Sequence, residues 1–194
     1  YLAHAGASCR VIDVAHAIPQ RLLAAARARG VPPAPAASPE LAELTRLLHE
    51  RWQRPLLVWS LAFAAQPLMN DVIMLPARGR HGSVGMLDLA EAAHGVDRHS
   101  PFARRVPFAS DGAGSFYVLV PNAEGPAAHV EFWDSSAYEP VERYAVASSF
   151  FAFMEFTALL DHAGEDPPWP HDRERVLALD PALAHLSGVA MPWE

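Results

Sequence analysis

The chain reads as an α+β protein in which a single mixed or antiparallel sheet, a meander in its C-terminal half, is covered by helices. Three observations predict this. Strand-like alternation is grouped between Val106 and Ala147, helix-like spacing lies on both sides of that group, and Asp111-Gly112 marks a tight turn within it. Strands grouped together with helices at both ends favour α+β over a regularly alternating α/β fold.

In chain order, residues 11–29 carry Ile12, Ala15, Ile18, Leu22 and Leu23 near helical spacing. Pro19 divides this stretch or opens its second piece at the first turn, where a missing N–H costs nothing. Gly30 and the Pro32-Pro33-Ala34-Pro35 run end it. Ser38-Pro39-Glu40-Leu41 then opens a second helix, with the Ser hydroxyl accepting from a free backbone N–H and Pro39 at the first helical position. Leu41, Leu44, Leu48 and Trp52 line one face, joined by Leu47, and Glu50 and Arg54 form an i,i+4 pair. Leu56 to Phe63 is a buried strand or a buried helix, since a short apolar run fits both.

Asp71 to Leu75 reads as a strand, followed by the loop Arg78 to Gly82, a short strand at Ser83 to Leu87 and a short helix at Asp88 to Ala93. Val106 to Ala109 and Ser115 to Val120 pair across Asp111-Gly112-Ala113-Gly114, where glycine accommodates the positive φ of a tight connection. Phe116, Val118 and Val120 fall on one strand face, and Tyr117 and Leu119 on the other. Val130 and Phe132 likewise point away from Glu131 and Trp133. A strand at about Glu142 to Ala147 leads to a helix capped by Ser148 or Ser149. That helix carries Phe150, Phe151, Phe153, Met154, Phe156, Leu159 and Leu160 and is apolar nearly all round, as a helix covered on several sides is. After Asp166-Pro167-Pro168-Trp169-Pro170, a last short helix starts at Asp180-Pro181 and stops at Gly188.

The bulk properties bound the function. A chain of 194 residues suits one domain with a sizeable core, and 51% hydrophobic with 19% charged residues fits a globular protein. The formal net charge of -7 disfavours general nucleic-acid binding, which needs cations to neutralise phosphates, and suits solubility or capture of a basic partner. Cys9 is the single cysteine, so no intrachain disulfide forms. No apolar run approaches the ~20 residues of a membrane-spanning helix. Tyr1 to Arg10 lacks the basic-then-apolar order of a signal peptide. The chain opens on Tyr rather than Met, as a fragment or trimmed chain would. A cytoplasmic location is expected.

Catalytic chemistry is weakly signalled. His81, His94 and His99, with Asp97, lack the spacing of a metal-binding helix or a Cys/His pairing, and no metal or cofactor is expected. Cys9, Asp13 and His16 share a helical spacing, but one helix cannot also supply an oxyanion hole and a cleft. Gly112 and Gly114 lie between strands beside Asp111, which would repel a phosphate. Binding is better served. Trp133, Asp134, Tyr138, Glu139 and Glu142 combine aromatics, which supply contact area, with carboxylates, which accept bidentate arginine contacts.

One ordered set of residues resembles the SUKH superfamily, a group dominated by bacterial immunity proteins. It runs from the turn Phe108-Ala109-Ser110-Asp111-Gly112-Ala113-Gly114 to the aromatic strand Phe116-Tyr117-Val118-Leu119-Val120. Val130 to Asp134 follows, and then the Ala147-Ser148-Ser149-Phe150 entry to a helix containing Phe153 and Phe156. Met86 to Glu91 is similar to the segment such domains place upstream. The N-terminal half departs from the pattern, lacking the Leu-Pro…Tyr entry and the Asn-Gly after it. The resemblance implies one SUKH-like domain over residues 1–194, with a helical extension over about 1–37 and another extension over about 163–194. It implies a non-enzymatic immunity protein that binds a cognate protein toxin, such as a basic nuclease-type effector, and occludes its active site or substrate groove. The alternatives are a small hydrolase with a loop-assembled His/carboxylate site and a non-catalytic regulatory adaptor.

Overall fold

The structure, a computed structural model, describes residues 17–34, 38–48, 51–65, 67–69, 72–79, 84–89, 105–123, 127–134, 142–169 and 171–193. Its helices are α1 (Gln20–Ala28), α2 (Pro39–Leu47), α3 (Arg54–Ala62), α4 (Phe150–Ala163) and α5 (Arg173–Leu179). Its strands are β1 (Pro67–Met69), β2 (Val72–Met74), β3 (Val106–Ser110), β4 (Phe116–Pro121), β5 (Ala128–Asp134) and β6 (Glu142–Ala147). The six strands form one sheet in the order β1-β2-β3-β4-β5-β6, and every neighbouring pair is antiparallel. The fold is therefore α+β with an open antiparallel meander.

Local chemistry explains most boundaries. Pro19 precedes α1, whose inner face buries Leu22, Leu23 and Ala26, and Ile18 is buried just ahead of it. The proline run after Gly30 is held in place: Pro33 bridges Phe63, and Ala34 N–H donates to the Ala62 carbonyl at 3.0 Å. Ser38 Oγ accepts from Leu41 N–H at 3.1 Å, as its position before Pro39 predicts. The helix it caps ends at Leu47 instead of running on to Arg54. A 3-10 turn at Arg51–Gln53 follows, and Pro55 starts a new helix, α3. The ambiguous run from Leu56 is thus helical, with Leu56, Leu57, Val58 and Trp59 all buried.

Gly85 and residues 86–89 depart from the expected strand at Ser83 to Leu87. Asp88 is the reason. Its Oδ2 accepts the N–H of Gly79 at 2.7 Å and of Gly85 at 2.8 Å, and its Oδ1 accepts from Arg78 at 3.0 Å. Those bonds close the loop onto itself and start a helical turn at 86–89. They also hold the Asp88 carboxyl below its usual range: the Gly79 N–H contributes most, burial opposes it, and Arg78 and Gly85 reinforce it.

The β3–β4 turn forms as expected. Asp111 Oδ1 accepts from Ala113 N–H and Ser115 N–H, each at 2.9 Å, while Gly112 takes φ 75°. Ser149, not Ser148, caps α4 by accepting from Ala152 N–H at 3.1 Å, and Gly164 at φ 67° ends that helix. The Ser148 hydroxyl donates instead to Asp180.

The core lies between the inner sheet face and α4, closed by α1 and α3. Phe153 is fully buried against Phe108, Tyr117 and Phe156, with ring centroids 5.4, 5.0 and 5.3 Å away. Trp169, Val176 and Leu183 belong to this same buried cluster, which starts at Ile18. The segment after 163 thus contributes three buried side chains to the core. Asp180 keys them in place: its buried carboxylate accepts from Ser148 N–H at 2.6 Å and Ser148 Oγ at 2.9 Å. α5 was not anticipated, although Asp172 caps it by accepting from Arg175 N–H at 2.9 Å. Among the described residues no helix is long and apolar enough to cross a membrane.

Candidate partner-binding surface

The pleat sorts the expected binding residues onto two faces. Phe132 and Tyr144, paired across β5 and β6, lie on the inner side and stack at 5.6 Å. Asp134 and Glu142 are register partners one step further out, so they share that side at the sheet's corner. Ser115 Oγ donates to Asp134 Oδ1 at 3.3 Å, and Glu142 is exposed. Two carboxylates directly opposite one another make this corner electronegative. Tyr144 registers their field: burial first, then the charges of Asp134 and Glu142, push its hydroxyl up to about 12.

Trp133 lies on the other face. It is 5% exposed and packs with Phe116, Val118 and Val120 in a second, smaller apolar cluster. Arg143, its partner across the strands, sets its guanidinium 4.4 Å from the ring centroid, and Arg105 approaches to 5.3 Å. What this face turns outward beside Trp133 is cationic, with Arg143 exposed. Trp133 and the Asp134–Glu142 pair are thus separated by the thickness of the sheet. Tyr138 and Glu139 lie outside the described residues, as do Cys9, Asp13, His16, Glu50, His81, His94 and His99.

A polar row that the sequence reading did not single out runs along the outer face. His129 Nδ1 sits 2.7 Å from Asn122 Oδ1, His129 Nε2 sits 3.1 Å from Glu131 Oε1, and Trp133 Nε1–H donates to Glu131 Oε2 at 2.7 Å. His129 is 2% exposed, so the row is an internal brace. Burial pushes the Glu131 carboxyl up, but the bonds from His129 and Trp133 and the charge of Arg105 outweigh it, leaving the group below its ordinary value. The available signal was period-two spacing: His129, Glu131 and Trp133 alternate along one strand and therefore share a face.

A cleft of about 380 Å³ opens elsewhere, between α2, α3 and the chain after β2, lined by Leu41, Leu44, Phe63, Met74, Arg78 and Met86 among others. It shares no lining residue with the polar row or the acidic corner. Among the described residues no group of three or more His, Cys, Asp or Glu side chains is placed to hold a metal ion. No protein-family model, curated protein or solved structure matches the chain.

Proposed function

We propose that this chain is a SUKH-like immunity protein that neutralises a cognate bacterial toxin by covering its active site or substrate groove, without catalysis of its own. The observation that supports the reading is the architecture of residues 106–163. A four-strand meander turns at Asp111-Gly112 and is backed by an aromatic helix entered through Ser148-Ser149, the order of elements on which the resemblance rests.

The acidic corner of Asp134 and Glu142 is the contact surface for the toxin. It sits on paired strands, so its carboxylates are preorganised, and it fits the arginine-rich and lysine-rich grooves that bind nucleic acid. Charge complementarity of this kind raises association rates and selects partners. The cytoplasm, where an incoming toxin acts, is the corresponding location.

The test is binding of the purified chain to the toxin encoded beside its gene, followed by calorimetry at two salt concentrations. Tight association that weakens with salt is expected, and Asp134→Ala with Glu142→Ala should weaken it by about tenfold or more. A turnover activity abolished by one point substitution would overturn the proposal. An unchanged affinity in the double variant would remove the acidic corner from it.

A further inference from the structure

The cleft between α2, α3 and the chain after β2 has no part in the reading above. A volume of about 380 Å³ lies among Leu41 and Leu44 of α2, Phe63 at the end of α3, and Met74 and Met86. That is the small end of the range of about 300–1,000 Å³ that small-molecule sites span. Backbone bonds fix the wall beyond β2. Leu75 N–H donates to the Phe108 carbonyl at 2.7 Å, Met86 N–H to that of Pro76 at 2.9 Å, and Leu87 N–H to that of Ala77 at 3.0 Å. The flexible side chains of Met74 and Met86 let the apolar lining adapt to a guest.

One polar side chain in this lining is unsatisfied. Ser60 of α3 is 6% exposed, and its hydroxyl has no hydrogen-bond partner among the described residues. Two other helical hydroxyls find a carbonyl about one turn back: Thr45 donates to Leu41 at 2.8 Å and Thr157 to Met154 at 3.1 Å. Ser60 does not, and a buried hydroxyl without a partner is unfavourable. The Trp59 indole N–H is likewise unpaired, but Trp59 lines a separate void of about 10 Å³, room for one water at most.

Charge at the cleft is already balanced. Arg78 lines it but donates to Glu43 at 3.2 Å and to Asp88 at 3.0 Å, so an anion would compete with two carboxylates. A cation would leave water for a wall whose deep polar group is a neutral hydroxyl.

We propose that this cleft binds a small uncharged amphiphile, an aliphatic chain ending in a hydroxyl or carbonyl group. The chain lies against the leucines and methionines, and the head group pairs with Ser60, whose hydroxyl both donates and accepts. A turn between staggered positions of its one side-chain torsion is enough to present that hydroxyl to the ligand. The site is independent of the immunity reading, because it shares no residue with the acidic corner.

The experiment titrates the full chain with octanol, octanoate and octylammonium, one aliphatic chain carrying three heads. It follows the methyl resonances of Met74, Met86 and Met154. Octanol should shift Met74 and Met86 saturably and leave Met154, which lies in the core outside the cleft, in place. The two charged probes should bind about tenfold or more weaker. Ser60→Ala should weaken octanol binding about fivefold yet melt no lower than the parent, since it removes an unsatisfied group. Ala64→Phe, which adds a ring to the half-buried lining, should abolish the shifts. No saturable shift in the parent chain would overturn the proposal. So would a charged probe that binds as tightly as octanol, or undiminished octanol affinity in folded Ser60→Ala. The comparison of the three heads needs no variant and stands if a substitution prevents folding.

Discussion

Between Val106 and Ala163 each strand pairs with the next in sequence, and the helix that follows folds back onto them. Between Ile18 and Leu89 the short elements are held chiefly by residues distant in the chain. Arg21 pairs with Glu155, Arg29 with Asp161 at 2.8 Å, and Trp59 stacks on Phe150 at 6.4 Å. The first region is organised by turns and caps that its own residues supply. The second is completed by α4 and by the pairing of β2 with β3. This contrast explains why the strands of one half follow from alternation, while the boundaries of the other required the assembled core.

Phe153→Ala tests the shared element and should have the largest effect. It empties a fully buried site against four aromatic rings, at a cost of about 3–5 kcal/mol. Urea denaturation followed by tryptophan fluorescence should show one transition, because residues of both regions share one core cluster. Two separate transitions would break the comparison, showing that the N-terminal elements hold without α4.

Gly85→Ala probes the N-terminal region through a close backbone approach. A Cβ there would lie 2.6 Å from the backbone of Arg78 and Gly79, which cannot yield as a flexible side chain would. The loop closed by Asp88 should open, with a loss of about 1–3 kcal/mol. A melting temperature within a degree of the parent would refute the tight packing of this loop.

Glu131→Gln addresses the polar row of β5 and carries a pH signature. Because the folded carboxyl titrates below its ordinary value, its contribution is present above the unfolded value of about 4.3 and is lost as pH falls through the folded one. The parent should therefore exceed the variant by about 1–2 kcal/mol at neutral pH. The gap should shrink steadily on acidification below about pH 4.5. A gap that is constant with pH would mean that charge on Glu131 is irrelevant to the brace.

The smallest expected effects compare one cap from each region. Ser149→Ala and Ser38→Ala each remove a hydroxyl that accepts one backbone N–H, for about 1 kcal/mol each. Ser149 opens the helix that both regions use, so hydrogen exchange in its variant should rise in both. In Ser38→Ala the rise should stay within α2 and its neighbours. The reverse pattern would invert the hierarchy drawn above.

Several particular errors show where local signals end. Leu41, Leu44 and Leu48 do mark a buried face, but their helix stops before Trp52 because Pro55 imposes a second start. Ser83 to Leu87 reads as a short strand, yet Asp88 accepts the N–H groups of Gly79 and Gly85, and residues 86–89 form a helical turn. The candidate site was half visible. Alternation correctly separated Trp133 from Phe132, and the acidity of Asp134 and Glu142 was plain. That two arginines approach the Trp133 ring was not, because Arg105 precedes β3 and Arg143 lies on β6, and only the folded sheet brings them to it.

The amino-acid sequence by itself determined the α+β class, the Asp111-Gly112 turn, the strand faces of β4 and β5, and the capped aromatic helix. Each depends on residues within a few positions of one another, where turn chemistry, capping and periodicity act directly. Tertiary structure decided the helical state of residues 54–62, the capture of residues after 163 into the core, and the separation of Trp133 from the acidic corner. Those outcomes depend on which distant side chains exclude water from a given group, and burial is a property of the assembled surfaces rather than of any short stretch of chain.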